Sequence, residues 1–163
     1  MIDTRAEDEM AQYCVENGIG ILCYGTVAGG FFSERFLGVA EPTSFDTRSN
    51  VKYLLVIKEF GGWDLFQELL RVLDVIAKTH NTDIGTIASA YIVNRPGVAA
   101  VIVGARNLSH LESNLKIPTI KFSETELAAI ANVLSRSKGP KGPVYYLERY
   151  NDEHRNIMHT NNN

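Results

Sequence analysis

Apolar positions recur along this chain in two rhythms. From Trp63 to His80, the residues Leu65, Phe66, Leu69, Leu70, Leu73, Ile76 and Ala77 keep a period near 3.6, which predicts an amphipathic helix. Ile84, Ile87, Ala88, Tyr91 and Ile92 repeat the pattern to about Asn94, after a turn-and-cap cluster at Asn81-Thr82-Asp83 and before a stop at Pro96-Gly97. Met10, Tyr13, Cys14 and Asn17 mark an earlier helix over 4–17, opened by capping-box spacing from Thr4 to Glu7 and closed by Gly18. Val51 to Glu59 reads as a helix with Lys52, Tyr53, Val56 and Ile57 in phase, broken by Gly61-Gly62. A short helix capped by Asn107 runs through Lys116, and a second capping box at Ser123 to Glu126 opens a helix through about Arg136. The other rhythm is the unbroken apolar run. Ile19 to Tyr24 and Val98 to Val103 each suit a buried parallel strand.

Strands alternating with amphipathic helices mark an α/β architecture with a parallel sheet. Two parallel strands cannot cover their own edges and faces, so the sheet reads as part of a larger one. Residues 25–50 form a long loop rich in Gly, Ser, Thr and Pro, of the kind that is functional or partly mobile. After Gly139-Pro140-Lys141-Gly142-Pro143 the chain reads as a tail, tyrosine-rich and then polar, which divides it into 1–138 and 139–163.

Composition narrows the function classes. The 163 residues are 45% hydrophobic with a net charge of −3, enough apolar material for one domain with a core. No basic run is present to neutralise phosphates, which argues against a nucleic-acid partner. Apolar runs of about six residues fall short of the ~20 that a membrane helix needs, and residues 1–8 lack an apolar signal core. Cys14 and Cys23 make no disulfide framework and read as two reduced thiols packed as small hydrophobes. The default expectation is a cytoplasmic protein away from membranes.

Two junctions could carry chemistry. Tyr24-Gly25-Thr26-Val27-Ala28-Gly29-Gly30 follows the first strand, at the end where parallel α/β folds collect ligands. An aromatic there can stack on a flat ring and glycines let backbone approach. On spacing alone, a Gly-rich turn with a packed tyrosine explains it better. Ile102-Val103-Gly104-Ala105-Arg106-Asn107 leaves the second strand through a glycine and an arginine into a capped helix, which is an anion-site arrangement. A βα turn with a surface arginine explains it equally well. His80 reads as a cation at a helix C-terminus, His154 and His159 show no metal-ligand spacing, and Trp63 with Phe60, Phe66 and Leu69 reads as core or a loop anchor. No metal site is expected, nor a Walker loop, HExxH or G-x-S-x-G signature.

Gly18-Ile19-Gly20-Ile21-Leu22-Cys23-Tyr24-Gly25-Thr26-Val27-Ala28-Gly29-Gly30 resembles the seventh-strand segment of aldo-keto reductases. Ile84 to Arg95 and Val98 to Asn114 resemble their last helix, eighth strand and cofactor loop, and Gly142 to Arg149 resembles the ending of a fungal and plant-type branch. The resemblance covers residues 3–136 and implies an NADP(H)-dependent oxidoreductase on a (β/α)8 TIM barrel, of which this chain carries the C-terminal strands and helices. It implies that Tyr24 stacks on the nicotinamide. Gly25, Val27, Ala28 and Gly30 would line the pyrophosphate and closing loop. Arg106 would take the 2′-phosphate with Gly104, Ala105 and His110 beside it, and Asn114 would contact the adenine. Ser113 stands where the family has an acidic residue, and His110 where it has a basic or amide one.

The family's catalytic Asp, Tyr, Lys and His come from the first half of the barrel, so no catalytic residue is expected in this chain. Three expectations stay open on the sequence. One is a cofactor-segment fragment without activity of its own. The second is a nucleotide-binding or interaction subunit, paired with a barrel-completing chain or with its own copy. The third sets the family aside for a small α/β domain that binds an anion at Gly104 to Asn107.

Overall fold

The computed structural model describes residues 1–45, 47–104 and 108–159. Its two apolar runs form strands β1 (Ile21–Tyr24) and β2 (Val98–Ile102), paired in parallel with Leu22 against Ala100, Cys23 against Val101 and Tyr24 against Ile102. Gly20 permits the approach at the start of the pair, since a Cβ there would lie 2.7 Å from the Ala99 Cβ. The crossover between the strands holds helices α2 (Arg48–Phe60), α3 (Trp63–Thr79) and α4 (Ile84–Val93). This is a mixed α/β fold, mostly helical, around a small parallel sheet.

The core is centred on α3, where Phe66, Leu69, Leu70 and Leu73 are fully buried. Its 3.6 period packs it between α4 and α6 (Glu124–Leu134), to which α6 contributes Ile130 and Val133. α4 is apolar around most of its circumference because it lies between α3 and β2. Two caps sit where the sequence places them. The Asp83 carboxylate accepts the Thr86 N–H at 2.6 Å, and Ser123 and Glu126 form a reciprocal box. α2 begins three residues before the expected Val51, because the Thr47 hydroxyl accepts the Asn50 N–H and sets its first turn.

The first segment differs from the single helix expected over 4–17. A 3-10 turn at Arg5–Glu7 is followed by a separate helix, α1 (Glu9–Glu16). The Thr4 side chain makes no cap, because the Glu7 N–H goes to the Thr4 backbone carbonyl at 2.8 Å; the Asp3 carboxylate takes both the Arg5 backbone N–H at 3.2 Å and its guanidinium at 2.7 Å. The short helix expected from Asn107 appears as a 3-10 turn at Leu108–His110 and then α5 (Leu111–Lys116), and its cap residue lies outside the described residues.

The long loop is pinned down. Phe31 and Phe32 are buried, and Phe31 packs against Phe36, Trp63 and Phe66 with ring centroids 4.7, 6.0 and 6.3 Å away. The Gln67 amide grips the loop backbone twice, accepting from Gly38 N–H and donating to the Phe36 carbonyl, both at 2.7 Å. Trp63 Nε1 donates to the Val39 carbonyl at 2.9 Å, so Trp63 is both core and loop anchor.

Residues beyond Gly139 do more than trail. They form α7 (Tyr146–Tyr150) and α8 (Asp152–His159), which fold back on the molecule. Glu148 meets the buried Arg5 at 3.3 Å and Lys52 at 3.8 Å. His154, expected in a solvated tail, is 3% exposed and its Nε2 lies 3.1 Å from Glu59 Oε1 on α2. No helix among the described residues is long and apolar enough to cross a membrane. Leu22 and Tyr24 on β1 and Ile102 on β2 remain more than half exposed.

Candidate functional site

Both strands run the same way, so their C-terminal ends open onto one place. A cleft of about 840 Å³ lies there, walled by the segment after β1, the segment after β2, and the first turns of α2 and α4. That volume is in the range of small-molecule sites. It brings together Tyr24, Gly25, Val27, Gly30, Gly104, His110 and Asn114 from segments about eighty residues apart. Ala28 is 1% exposed and faces a second, smaller cavity. Ala105 and Arg106 lie outside the described residues.

Tyr24 stands at the edge with 61% of its surface exposed, which leaves its ring available for stacking. Gly25 takes φ +69°, and a Cβ there would lie 1.9 Å from the Tyr53 hydroxyl. Only glycine allows α2 this close to the strand end. A Cβ at Gly30 or Gly104 would meet nothing within 4 Å, so both present bare backbone to open space. Asn114 donates its side-chain N–H to the Gly104 carbonyl at 3.3 Å, tying α5 to the exit of β2. The Thr26 and Ser89 hydroxyls, 2.8 Å apart and buried, fix the floor.

The N-terminus of α4 opens into this cleft, with two of its donors already held by carboxylates. Glu34 accepts the Ile84 N–H at 2.8 Å and Asp83 accepts the Thr86 N–H at 2.6 Å. An anionic ligand at α4 would therefore meet the carboxylates of Glu34 and Asp83. The other walls carry basic side chains, Arg48 and Lys52 on α2, the latter 3.8 Å from Glu148, and His110 beside the exit of β2. These residues fit a nucleotide cofactor: an exposed ring, bare backbone at two glycines and cations on the facing wall.

A cavity of about 290 Å³ adjoins the cleft and shares Tyr24, Gly25, Thr26, Phe32, Lys52 and Tyr53 with it. Burial, and then the neighbouring Tyr24, raises the Tyr53 pKa above its ordinary value. A hydrogen bond to Tyr24 does the same for Tyr145, whose backbone sits in the left-handed region at φ +65°. Beneath them Arg5 is held protonated, first by its bonds to Asp3. Burial pushes Asp3 and Glu148 upward, but their bonds to Arg5 prevail and hold both below the usual carboxylate range.

The polar residues outside the cleft take structural places. His80 ends α3 with its Nε2 2.9 Å from Glu126. Both cysteines are free; Cys14 is buried, and burial raises the Cys23 thiol pKa. No metal-binding group of His, Cys, Asp and Glu occurs among the described residues. Sequence reading missed Arg48, Lys52, Tyr53 and Thr86 as cleft residues. Lys52 and Tyr53 were legible only as helix positions, because nothing local shows that α2 folds over Gly25.

Comparison with known proteins gives the family. The model of the aldo/keto reductase family matches residues 1–135. Over 126 residues the chain is 25% identical to an aryl-alcohol dehydrogenase of Pestalotiopsis microspora and to probable aldo-keto reductase 1 of Glycine max, covering 76% of this chain and 29% and 34% of those proteins. Over 125 residues it is 26% identical to norsolorinic acid reductase B of Dothistroma septosporum, again covering 76% of this chain and 29% of that protein. The chain thus spans about a third of the length of these relatives. With the matched residues running through both strands and both walls of the cleft, the chain belongs to the aldo/keto reductase family.

Proposed function

We propose that this chain is the cofactor-holding part of an NADP(H)-dependent oxidoreductase, built from the last strands and helices of a (β/α)8 barrel. The observation that carries it is the larger cleft at the C-terminal ends of two parallel strands, whose lining joins an exposed Tyr24 to bare backbone at Gly30 and Gly104. Tyr24 supplies a stacking face for the nicotinamide. The segment after β2, with Arg106 as its strongest phosphate ligand, takes the 2′-phosphate, while Arg48 and Lys52 face the pyrophosphate. The bound cofactor would supply a hydride; the residues here bind and orient it. A protonation partner for a carbonyl oxygen is assigned by the family resemblance to segments outside this chain, so the isolated chain binds cofactor without turnover. Amide-exchange protection by 2′,5′-ADP tests the placement. Protection of residues 24–34 and 103–114 is expected, and protection confined elsewhere rejects it.

A second reading is carried by the exposed strand residues Leu22, Tyr24 and Ile102. Strands with half their side chains in solvent invite pairing. A chain supplying further barrel strands, or a second copy, would cover them.

A further inference from the structure

The last helix reaches the larger cleft. Beyond Asn114, Ile157 is the one residue among those described that lines it, and it does so together with Arg48, Ser49 and Lys52. α8 begins at Asn151, whose side-chain oxygen accepts the Glu153 and His154 N–H groups at 3.0 and 3.2 Å. A second contact fixes where the helix lies. His154 is buried, with its Nε2 3.1 Å from Oε1 of Glu59 in the last turn of α2. The cleft-lining Arg48 and Lys52 belong to the other end of α2, so α8 runs back along α2 from Glu59 toward the cleft. The His154–Glu59 contact is incompletely satisfied, since Glu59 Oε2 and His154 Nδ1 are buried with no partner among the described residues. Unmet buried polar atoms lower stability, and an apolar pair would join the two helices without that cost.

We infer that α8 is a retaining wall of the cofactor cleft and that His154, acting through Glu59, is its positioning residue. The inference rests on the cofactor reading proposed above. Residues three apart on a helix share a face, so the bond that fixes His154 against the end of α2 also fixes the direction in which Ile157 is presented. Apolar packing alone would let α8 slide or turn on α2, and Ile157 with it. A directional polar bond selects one register, which is a use for a buried polar pair that stability alone does not supply. With α8 in register, Ile157 adds an apolar contact at the α2 wall, and a bound nucleotide gives up that contact on leaving. His154 itself does not line the cleft, so its effect falls on release of the nucleotide rather than on its capture.

Two measurements on the full chain test this: amide exchange over residues 152–157 without cofactor, and release of NADPH, followed by its fluorescence on mixing the loaded chain with excess NADP+. His154→Ala is expected to speed exchange in that segment and to speed NADPH release roughly fivefold, the loss of one net hydrogen bond, with the association rate unchanged. His154→Gln keeps a side-chain N–H for Glu59 and is expected to restore both. Ile157→Ala leaves the pair intact and is expected to speed release while exchange at Asp152 to His154 stays native. Native exchange in His154→Ala overturns the inference, and so does faster exchange accompanied by native release. A native chain that binds no NADPH removes the cofactor reading and this inference with it. A native chain that binds NADPH, with equal release from every variant, removes this inference alone.

Discussion

Gly25 and Tyr53 make the corner at which β1, α2 and both cavities meet. A methyl group at Gly25 would occupy the position of the Tyr53 hydroxyl and would also hold a left-handed φ of +69°. Gly25→Ala is expected to cost about 1–3 kcal/mol from overpacking and backbone strain, read as a lowered Tm together with a changed tyrosine signal in near-UV circular dichroism. An unchanged Tm would mean that α2 does not close on this strand end. The Asp3–Arg5–Glu148 cluster makes a different residue-scale prediction. Both carboxyls sit below their ordinary pKa, so the stability they contribute is complete above the unfolded value, near pH 4, and is lost as pH falls through the depressed folded values. Urea midpoints from pH 7 to pH 3 should therefore fall more steeply for the native chain than for Glu148→Gln. Equal slopes would contradict the cluster.

The helices show where local sequence suffices and where it does not. α3 and α4 follow from apolar period and caps, because their stability and their burial depend on the same residues. Ser123→Ala removes the hydroxyl from a cap whose both halves are formed, and should cost about 1 kcal/mol in a chemical melt. A loss near zero would show that the packing of α6 on α3 carries the helix alone. α7 and α8 were illegible for the opposite reason. They are 5 and 8 residues long, mostly polar, and too short to be stable by propensity. Distant partners dock them: Arg5 lies 143 positions from Glu148, and Glu59 lies 95 from His154. The turn at Thr4 misled for a related reason: the Glu7 N–H goes to the Thr4 backbone carbonyl and the Glu7 carboxylate to the distant Arg95, so neither half of a capping box forms. In the cleft, the strand-end residues were legible because parallel strands place their C-terminal ends together. The α2 wall was not, because only tertiary packing brings Lys52 and Tyr53 over Gly25.

Across the whole molecule, a two-stranded sheet stands beside a core large enough for a domain, with Leu22, Tyr24 and Ile102 open to solvent. That imbalance predicts association. Sedimentation of the pure chain should show species above 18.1 kDa, with Leu22→Lys shifting them toward monomer. A monomer at all concentrations would remove self-association from the account and leave a separate strand-supplying chain as the alternative. The same arrangement places the cleft where the two strand ends converge, so its ligand is the most direct measure of what the chain does. Calorimetric titration of NADPH and NADH into the native chain and into Arg106→Ala tests this. The account predicts tighter NADPH binding in the native chain and a loss of roughly tenfold or more for NADPH alone on removing the guanidinium, as a phosphate ion pair is worth about 1.5–3 kcal/mol. Equal affinities for the two cofactors, unchanged in the variant, would contradict it.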